Sequence, residues 1–87
     1  MYSDLYSEEI VRKLAKIKKK EPKHYEIIRK KMDDILQNPQ NKHKFLHYNM
    51  KGINRAHIGH FVLIFRINHQ NKTISFEDYD HHDKIYR

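Results

Sequence analysis

The stretch RAHIGHFVLIFRI, residues 55–67, decides the fold of this chain. Within it, residues 61–65 are five consecutive apolar side chains, most of them β-branched or aromatic. Such a run is typical of a strand that is buried on both faces. A strand of this kind lies in the middle of its sheet, and a chain of 87 residues has room for one such centre. We therefore predict that residues 61–67 form the central strand of a small sheet.

The residues just before this strand carry the first candidates for a functional site. Side chains in a strand change face at every residue, so Arg55 and His57 point to one side while Ala56 and Ile58 point to the other. The glycine that follows predicts a bulge or a tight bend at residues 59–60. A guanidinium and an imidazole are thus expected side by side next to the core.

Size and composition limit what the chain can be. Its 87 residues predict one domain, residues 1–87. The absence of cysteine excludes disulfides and thiolate zinc sites and fits a reducing cytoplasm. No apolar run approaches the ~20 residues that span a bilayer, so we expect a soluble protein with no membrane partner. The net charge of +7 favours a polyanionic partner, nucleic acid or an acidic protein, over a basic surface that is merely solvated.

Ahead of the central strand the apolar pattern is helical. A short edge strand is expected at residues 2–6, and Ser7 followed by two glutamates is typical of a helix start. The apolar residues of the first helix have helical spacing: Ile10, Val11, Leu14 and Ile17. Those of the second helix, residues 22–37, do as well: Tyr25, Ile28, Met32, Ile35 and Leu36. Two helices with almost no linker predict an antiparallel hairpin.

Beyond Asn38-Pro39 the period changes to two. Strands are expected at residues 45–48, 55–58, 61–67 and 73–79, with a hairpin turn at 69–72. The order β-α-α-β-β-β predicts an α+β fold in which an N-terminal helical hairpin packs on one face of a small antiparallel sheet. The opposite face is left open, and a ligand could bind there.

The tail DHHDKIYR, residues 80–87, is the strongest chemical cluster. Histidine gives and takes protons near neutral pH, and neighbouring carboxylates orient imidazoles. The tail leaves the strand that pairs with the central strand, so it can approach Arg55 and His57. Imidazoles, a phenol and guanidinium groups can together cleave RNA. Two alternatives are ordinary surface residues and a divalent transition-metal site that uses the histidines, Asp83 and His57. His24 is assigned no role.

Taken together, these features resemble the RelE and ParE toxin superfamily, and specifically its RelE-type branch. The residues that carry the resemblance are LHY at 46–48, the segment 55–65, the ending HHDKIY at 81–86 and the helical hairpin ending at Asn38-Pro39. The resemblance implies an endoribonuclease that cuts mRNA in the ribosomal A site. It also implies metal-independent attack by the 2′-hydroxyl without a cofactor, and an acidic RelB-like antitoxin that silences the toxin in a hetero-oligomer.

The resemblance also implies roles for individual residues. The implied catalytic residues are Arg55, His57, His81, His82 and Tyr86. The implied RNA-binding residues are Lys42, Lys44, Lys51 and Arg87. The family's second arginine, in the middle of the central strand, falls on Val62 here. The phosphate-clamping role therefore shifts to Arg55, Lys51 or His57.

Two other functions fit the same residues. A ParE-like toxin binds DNA gyrase and is no nuclease, but inhibition by binding does not require the histidine-rich tail. A non-catalytic RNA-binding module is favoured by the valine at position 62.

Overall fold

The computed structural model describes residues 2–40, 44–45 and 53–85. In chain order their elements are β1 (Ser3–Tyr6), α1 (Glu8–Lys20), α2 (Pro22–Gln37), β2 (Lys44–Phe45), β3 (Ile53–Ile58), β4 (Phe61–Asn68), β5 (Thr73–His81) and α3 (His82–Ile85). The strands form one sheet in the order β1-β5-β4-β3-β2. This order confirms that the apolar strand, β4, is the centre of the sheet.

The sheet is mixed, whereas the sequence analysis predicted an antiparallel one. The pairs β2–β3, β3–β4 and β4–β5 are antiparallel, but β1 runs parallel to β5 with Ser3 opposite Thr73. Parallel neighbours require a long crossover connection, and the whole chain between β1 and β5 supplies it. The α+β class, with a helical hairpin on one face of the sheet, is confirmed.

The first helix begins where the sequence predicts. Ser7 caps α1, because its Oγ accepts a hydrogen bond from the Ile10 amide at 3.1 Å. The same hydroxyl donates to the Glu77 carbonyl oxygen at 2.6 Å. The cap therefore starts the helix and fastens it to β5. Among the helices of the described chain, none is both long and apolar enough to cross a membrane.

The core lies between the helical hairpin and one face of the sheet. Leu63 and Phe65 of β4 are buried there against the apolar stripes of α1 and α2. The predicted stripe of α2 is buried except for Tyr25, which packs partly against the core. On α1 the prediction for Val11 is wrong, since its side chain is 54% exposed. Ile10 already faces the sheet, and the next residue of an α-helix is turned about 100° away.

The other face of the sheet carries polar groups around a small apolar centre. Val62 and Ile64 are buried on this face, so the run is covered on both sides as predicted. His57 pairs with Val62 and Arg55 pairs with Ile64, and paired residues share a face. We call this surface, which faces away from the helical hairpin and includes Arg55, His57 and Arg66, the open face.

Candidate active site at one end of the sheet

Four histidines meet at the end of the sheet where β3 turns into β4. The turn is made by Gly59 and His60, and Gly59 has φ of +59°, a left-handed conformation that favours glycine. The His82 amide donates to the His60 carbonyl oxygen at 2.8 Å, which fixes the start of α3 to this turn. The turn and α3 therefore bring His57 and His60 close to His81 and His82.

One histidine pair belongs to the open face. The ring centroids of His57 and His82 are 6.1 Å apart and the ring planes differ by 28°. His57 is exposed, as is the His82 side chain, at 52%. Arg55 lies two residues earlier on β3, on the same face, and is partly buried. The prediction that the tail approaches His57 is thus confirmed for His82.

The second histidine pair lies on the helix side. The rings of His60 and His81 are also 6.1 Å apart, with planes 19° from parallel. His81 is the register partner of Phe61, and the two rings meet edge to face at 5.5 Å. His81 ends the strand and His82 begins the helix, so the two adjacent side chains separate. The sequence grouped them in one site, but His81 lies away from Arg55 and His57.

Asp83 connects the two adjacent histidines. Its amide donates to His81 Nδ1 at 3.3 Å, so in the neutral ring the proton lies on Nε2. Its carboxylate oxygens lie 3.7 Å from His81 Nδ1 and 3.6 Å from His82 Nδ1. These separations are longer than hydrogen bonds, so the carboxylate neighbours both imidazoles without being hydrogen-bonded to them.

An ion-pair cluster holds the strand that carries His81. β1 pairs only with residues 73–76 of β5. Beyond these residues, β5 is held by Lys13 of α1. Its Nζ donates to Asp78 Oδ1 and Asp80 Oδ2, both at 2.8 Å. Burial on its own raises the pKa of Asp80, but the hydrogen bonds from Lys13 and from the His81 amide lower it overall. Burial lowers the pKa of Lys13, but both carboxylates outweigh it and raise the pKa.

A buried phenol supports the helix-side pair. Tyr79 is buried, stacks on Phe61 at 5.3 Å, and its hydroxyl lies 2.8 Å from His24 Nε2. Burial, with the added charge of Glu21, raises the pKa of the Tyr79 phenol, so the hydroxyl keeps its proton and forms a neutral hydrogen bond with His24. The sequence analysis gave His24 no role. Its partner is 55 residues away, and no local pattern marks such a pair.

The remaining predicted site residues are mostly outside the described chain. Tyr86, Arg87, Lys42 and Lys51 are not among the described residues. Lys44 belongs to β2, and its backbone pairs opposite Arg55. As for the metal alternative, residues 2–40, 44–45 and 53–85 contain no group of three or more His, Cys, Asp or Glu side chains that could hold an ion.

Solved structures define the fold class. The chain superimposes on a chain of the Escherichia coli DinJ–YafQ complex with a TM-score of 0.79 and 20% identity, covering 100% of both chains. It superimposes on the isolated E. coli RelE toxin with a TM-score of 0.78 and 13% identity, covering 93% of this chain and 84% of RelE. At these identities the likeness establishes the fold, which is that of RelE and YafQ.

Sequence comparisons give the family. The model described as ParE toxin of type II toxin-antitoxin system, parDE, matches residues 5–86. A Methanocaldococcus jannaschii protein named as a candidate toxin, RelE4, is 43% identical over 75 residues, 85% of this chain and 79% of that protein. An uncharacterized Methanosarcina mazei protein is 45% identical over 87 residues, 99% and 100% of the two chains. The chain belongs to this family of type II toxins and, within the RelE/ParE superfamily, is of the RelE type.

Proposed function

We propose that this toxin is an endoribonuclease that cuts mRNA in the A site of translating ribosomes. The observation that carries the proposal is the pair of exposed imidazoles, His57 and His82, 6.1 Å apart with Arg55 on the same open face. Two titratable groups and a fixed cation are the parts that metal-free RNA cleavage requires. The net charge of +7 favours a polyanion such as RNA as the ligand of the chain.

The proposed reaction needs no reagent besides the RNA. One imidazole removes the proton of the 2′-hydroxyl, and the 2′-oxygen then bonds to the adjacent phosphorus. The bond from phosphorus to the 5′-oxygen breaks, and the other imidazole, in its protonated form, gives that oxygen a proton. Arg55 stabilises the charge that builds on the phosphate oxygens. The products are a 2′,3′-cyclic phosphate and a 5′-hydroxyl.

The other predicted residues have supporting roles in this proposal. His81 positions His82, because it accepts the Asp83 amide hydrogen bond and so orders the first turn of α3. Tyr86 follows that turn and supplies a phenol, as the family resemblance implies. Lys42, Lys44, Lys51 and Arg87 hold backbone phosphates, which positions the RNA without reading its sequence.

An acidic antitoxin is the proposed protein partner. Among the structural neighbours, E. coli RelE was solved in an intact RelBE toxin-antitoxin complex, and a Pyrococcus horikoshii RelE was solved with RelB. A chain with a net charge of +7 is attracted to an acidic partner, and such an attraction accelerates encounter. We propose that the two proteins form a hetero-oligomer in the cytoplasm, where translating ribosomes are the target of the released toxin.

The deciding experiment maps RNA ends. Purified toxin is added to ribosomes translating a defined mRNA and, separately, to the naked mRNA. We expect new ends in the A-site codon only on ribosomes, with a cyclic phosphate on the upstream fragment. Ends that carry a 3′-hydroxyl would contradict attack by the 2′-oxygen, and equal cutting of naked mRNA would contradict ribosome dependence.

A gyrase-directed activity is the second candidate, because the matching family model is named for ParE. It predicts DNA breaks after induced expression and intact mRNA. Growth arrest with neither kind of break would instead indicate RNA binding without chemistry.

A further inference from the structure

A depression separate from the candidate active site lies on the open face, at the end of the sheet away from the histidines. Its volume is about 460 Å³, and it lies beside the turn between β4 and β5. Besides Ile67, its lining residues all have side chains that can form hydrogen bonds: Arg66, Asn68, His69, Gln70, Thr73 and Ser75. This composition differs from the apolar pockets that usually receive small ligands.

Strand register shows that the depression belongs to the same surface as the candidate active site. Arg66 pairs with Ser75 and Asn68 pairs with Thr73, and on β4 both alternate in phase with Val62. Asn68 lies six positions after Val62 on β4. The two residues are therefore about 20 Å apart, at ~3.3 Å per residue. A single extended RNA strand can therefore contact both places at once.

The imidazole in this depression is held in one orientation. Gln40 Nε2 donates to the Tyr2 hydroxyl at 3.2 Å, and that hydroxyl lies 2.8 Å from His69 Nδ1. The phenol therefore contacts both the amide of Gln40 and Nδ1 of His69, which fixes the position of the ring, and Nε2 is the ring nitrogen not engaged by Tyr2. The turn itself is closed by Asn68 Oδ1, which accepts from the Asn71 amide at 3.0 Å.

Arg66 is the one cation among the lining residues, and it is already paired with a carboxylate. Arg66 Nε lies 3.5 Å from Glu77 Oε1, and Ser75 Oγ donates to Glu77 Oε2 at 2.7 Å. The contact uses Nε, so a phosphate can accept hydrogen bonds from the two terminal amino groups of the guanidinium. The depression thus combines one phosphate-binding group with neutral amides, hydroxyls and an imidazole.

We propose that this depression is a second RNA subsite, which binds the base and phosphate of a nucleotide a few positions away from the scissile bond. The inference rests on the proposed function for the choice of RNA as ligand. Neutral donors and acceptors match the edges of bases, which is how sequence is read, whereas an acidic peptide would require an excess of cations here. The subsite therefore supplies base preference, and the lysines supply attraction.

The test uses oligonucleotides that bind but cannot be cut, because each 2′-hydroxyl is methylated. Affinities of a ten-nucleotide and a four-nucleotide RNA are measured for the parent protein, Arg66→Gln and Arg12→Gln. Arg12 is a matched control, since it too is ion-paired with a glutamate and its side chain is 56% exposed, against 51% for Arg66. We expect Arg66→Gln to weaken binding of the ten-nucleotide RNA about three- to tenfold and to leave the four-nucleotide RNA unchanged.

Base preference and position are tested on the same complexes. His69→Ala should reduce discrimination among RNAs that differ at a single base, while average affinity changes little. A 4-thiouridine placed at that base should crosslink to residues 66–75 rather than to the histidine end.

Several results would overturn the subsite. One is an equal loss of RNA affinity in Arg66→Gln and Arg12→Gln, and another is an equal loss in Arg66→Gln for the ten- and the four-nucleotide RNA. A parent protein that binds both RNA lengths equally well would also contradict the subsite. So would an Arg66→Gln variant that binds the antitoxin more weakly and RNA as before. Because these RNAs cannot be cleaved, length-dependent binding by a protein that cuts no mRNA would support the subsite and refute the nuclease.

Discussion

The two histidine pairs at the end of the sheet have almost the same internal geometry and different surroundings. In each pair the ring centroids are 6.1 Å apart and the planes are within 30° of parallel. The open-face pair, His57 and His82, has Arg55 beside it. The helix-side pair, His60 and His81, has Phe61 beside it, which in turn stacks on Tyr79. The two pairs thus have the same residue type and the same distance between rings, but the groups next to each pair differ.

The two pairs differ in the face of the sheet that they occupy and not in the histidines themselves. A cation and an accessible surface allow the open-face pair to meet a phosphate. An aromatic neighbour anchored in the core suits the helix-side pair to holding β5 and α3 in place. Each of the following predictions separates these two roles.

The largest effect is expected from the open-face imidazoles. His57→Ala and His82→Ala should each slow mRNA cleavage about 10²- to 10⁴-fold, because each removes a proton-transfer group. His60→Ala removes a histidine of the helix-side pair that is also exposed, and it should cost less than about tenfold. Primer extension on translating ribosomes measures the rates. If His60→Ala were as inactive as His57→Ala, the distinction between the pairs would fail.

A smaller loss is expected from the neighbouring cation. Arg55→Gln should slow cleavage about 10²-fold, because the charge developing on phosphate loses its stabilising partner. Arg55→Lys retains the charge and should recover part of the rate. Thermal unfolding of each variant shows whether the partly buried side chain also affects the fold. An unchanged rate in Arg55→Gln at unchanged stability would remove Arg55 from the site.

The support beneath the helix-side pair should affect stability instead of rate. Tyr79→Phe removes the hydrogen bond to His24 and should lower the free energy of unfolding by about 1 kcal/mol. Urea denaturation measures this change, and cleavage by the folded variant should stay close to that of the parent. A large loss of cleavage at unchanged stability would give Tyr79 a catalytic role and would contradict the comparison.

The smallest effect, and a pH-dependent one, is expected from the ion pairs of Lys13. Lys13→Met should cost about 1 kcal/mol or less at neutral pH, because the pairs are partly exposed. The pKa of Asp80 is lowered, so its contribution is present above the ordinary value of 3.8 and is lost as pH falls through the folded-state pKa. The pKa of Lys13 is raised, so its contribution is present below 10.5 and is lost as pH rises through the folded-state pKa.

The stability difference between Lys13→Met and the parent should therefore be largest between these limits and shrink at both ends. Lys16→Met, on an exposed lysine of the same helix, is the control. A difference that does not vary with pH would show that Lys13 acts through packing.

The sequence predicts those parts of the fold that depend on neighbouring residues. Ser7 with two following glutamates marks the start of α1, and the apolar run 61–65 marks the central strand. The parallel pairing of β1 could not be predicted, because it depends on the position of β5, which is distant in sequence. The pair His24–Tyr79 was missed for the same reason.

The separation of His81 from His82 is visible in the sequence as a change in the spacing of the apolar residues of β5. In β5 the helix-side apolar residues are Ile74, Phe76 and Tyr79, so their spacing changes from two to three. The structure has a bulge there, opposite the junction of Ile64 and Phe65. An uninterrupted alternation would place residue 81 on the open face, whereas the bulge moves it to the helix side.

The turns of the sheet have one more consequence. Two residues join β3 to β4 and four join β4 to β5, so Arg55, both histidine pairs and the depression beside the β4–β5 turn come from one contiguous third of the chain. The exposed sides of α1 and α2 are formed by residues outside that segment. Substitutions on the helical surfaces can therefore accumulate without changing the strands and turns that hold the two histidine pairs.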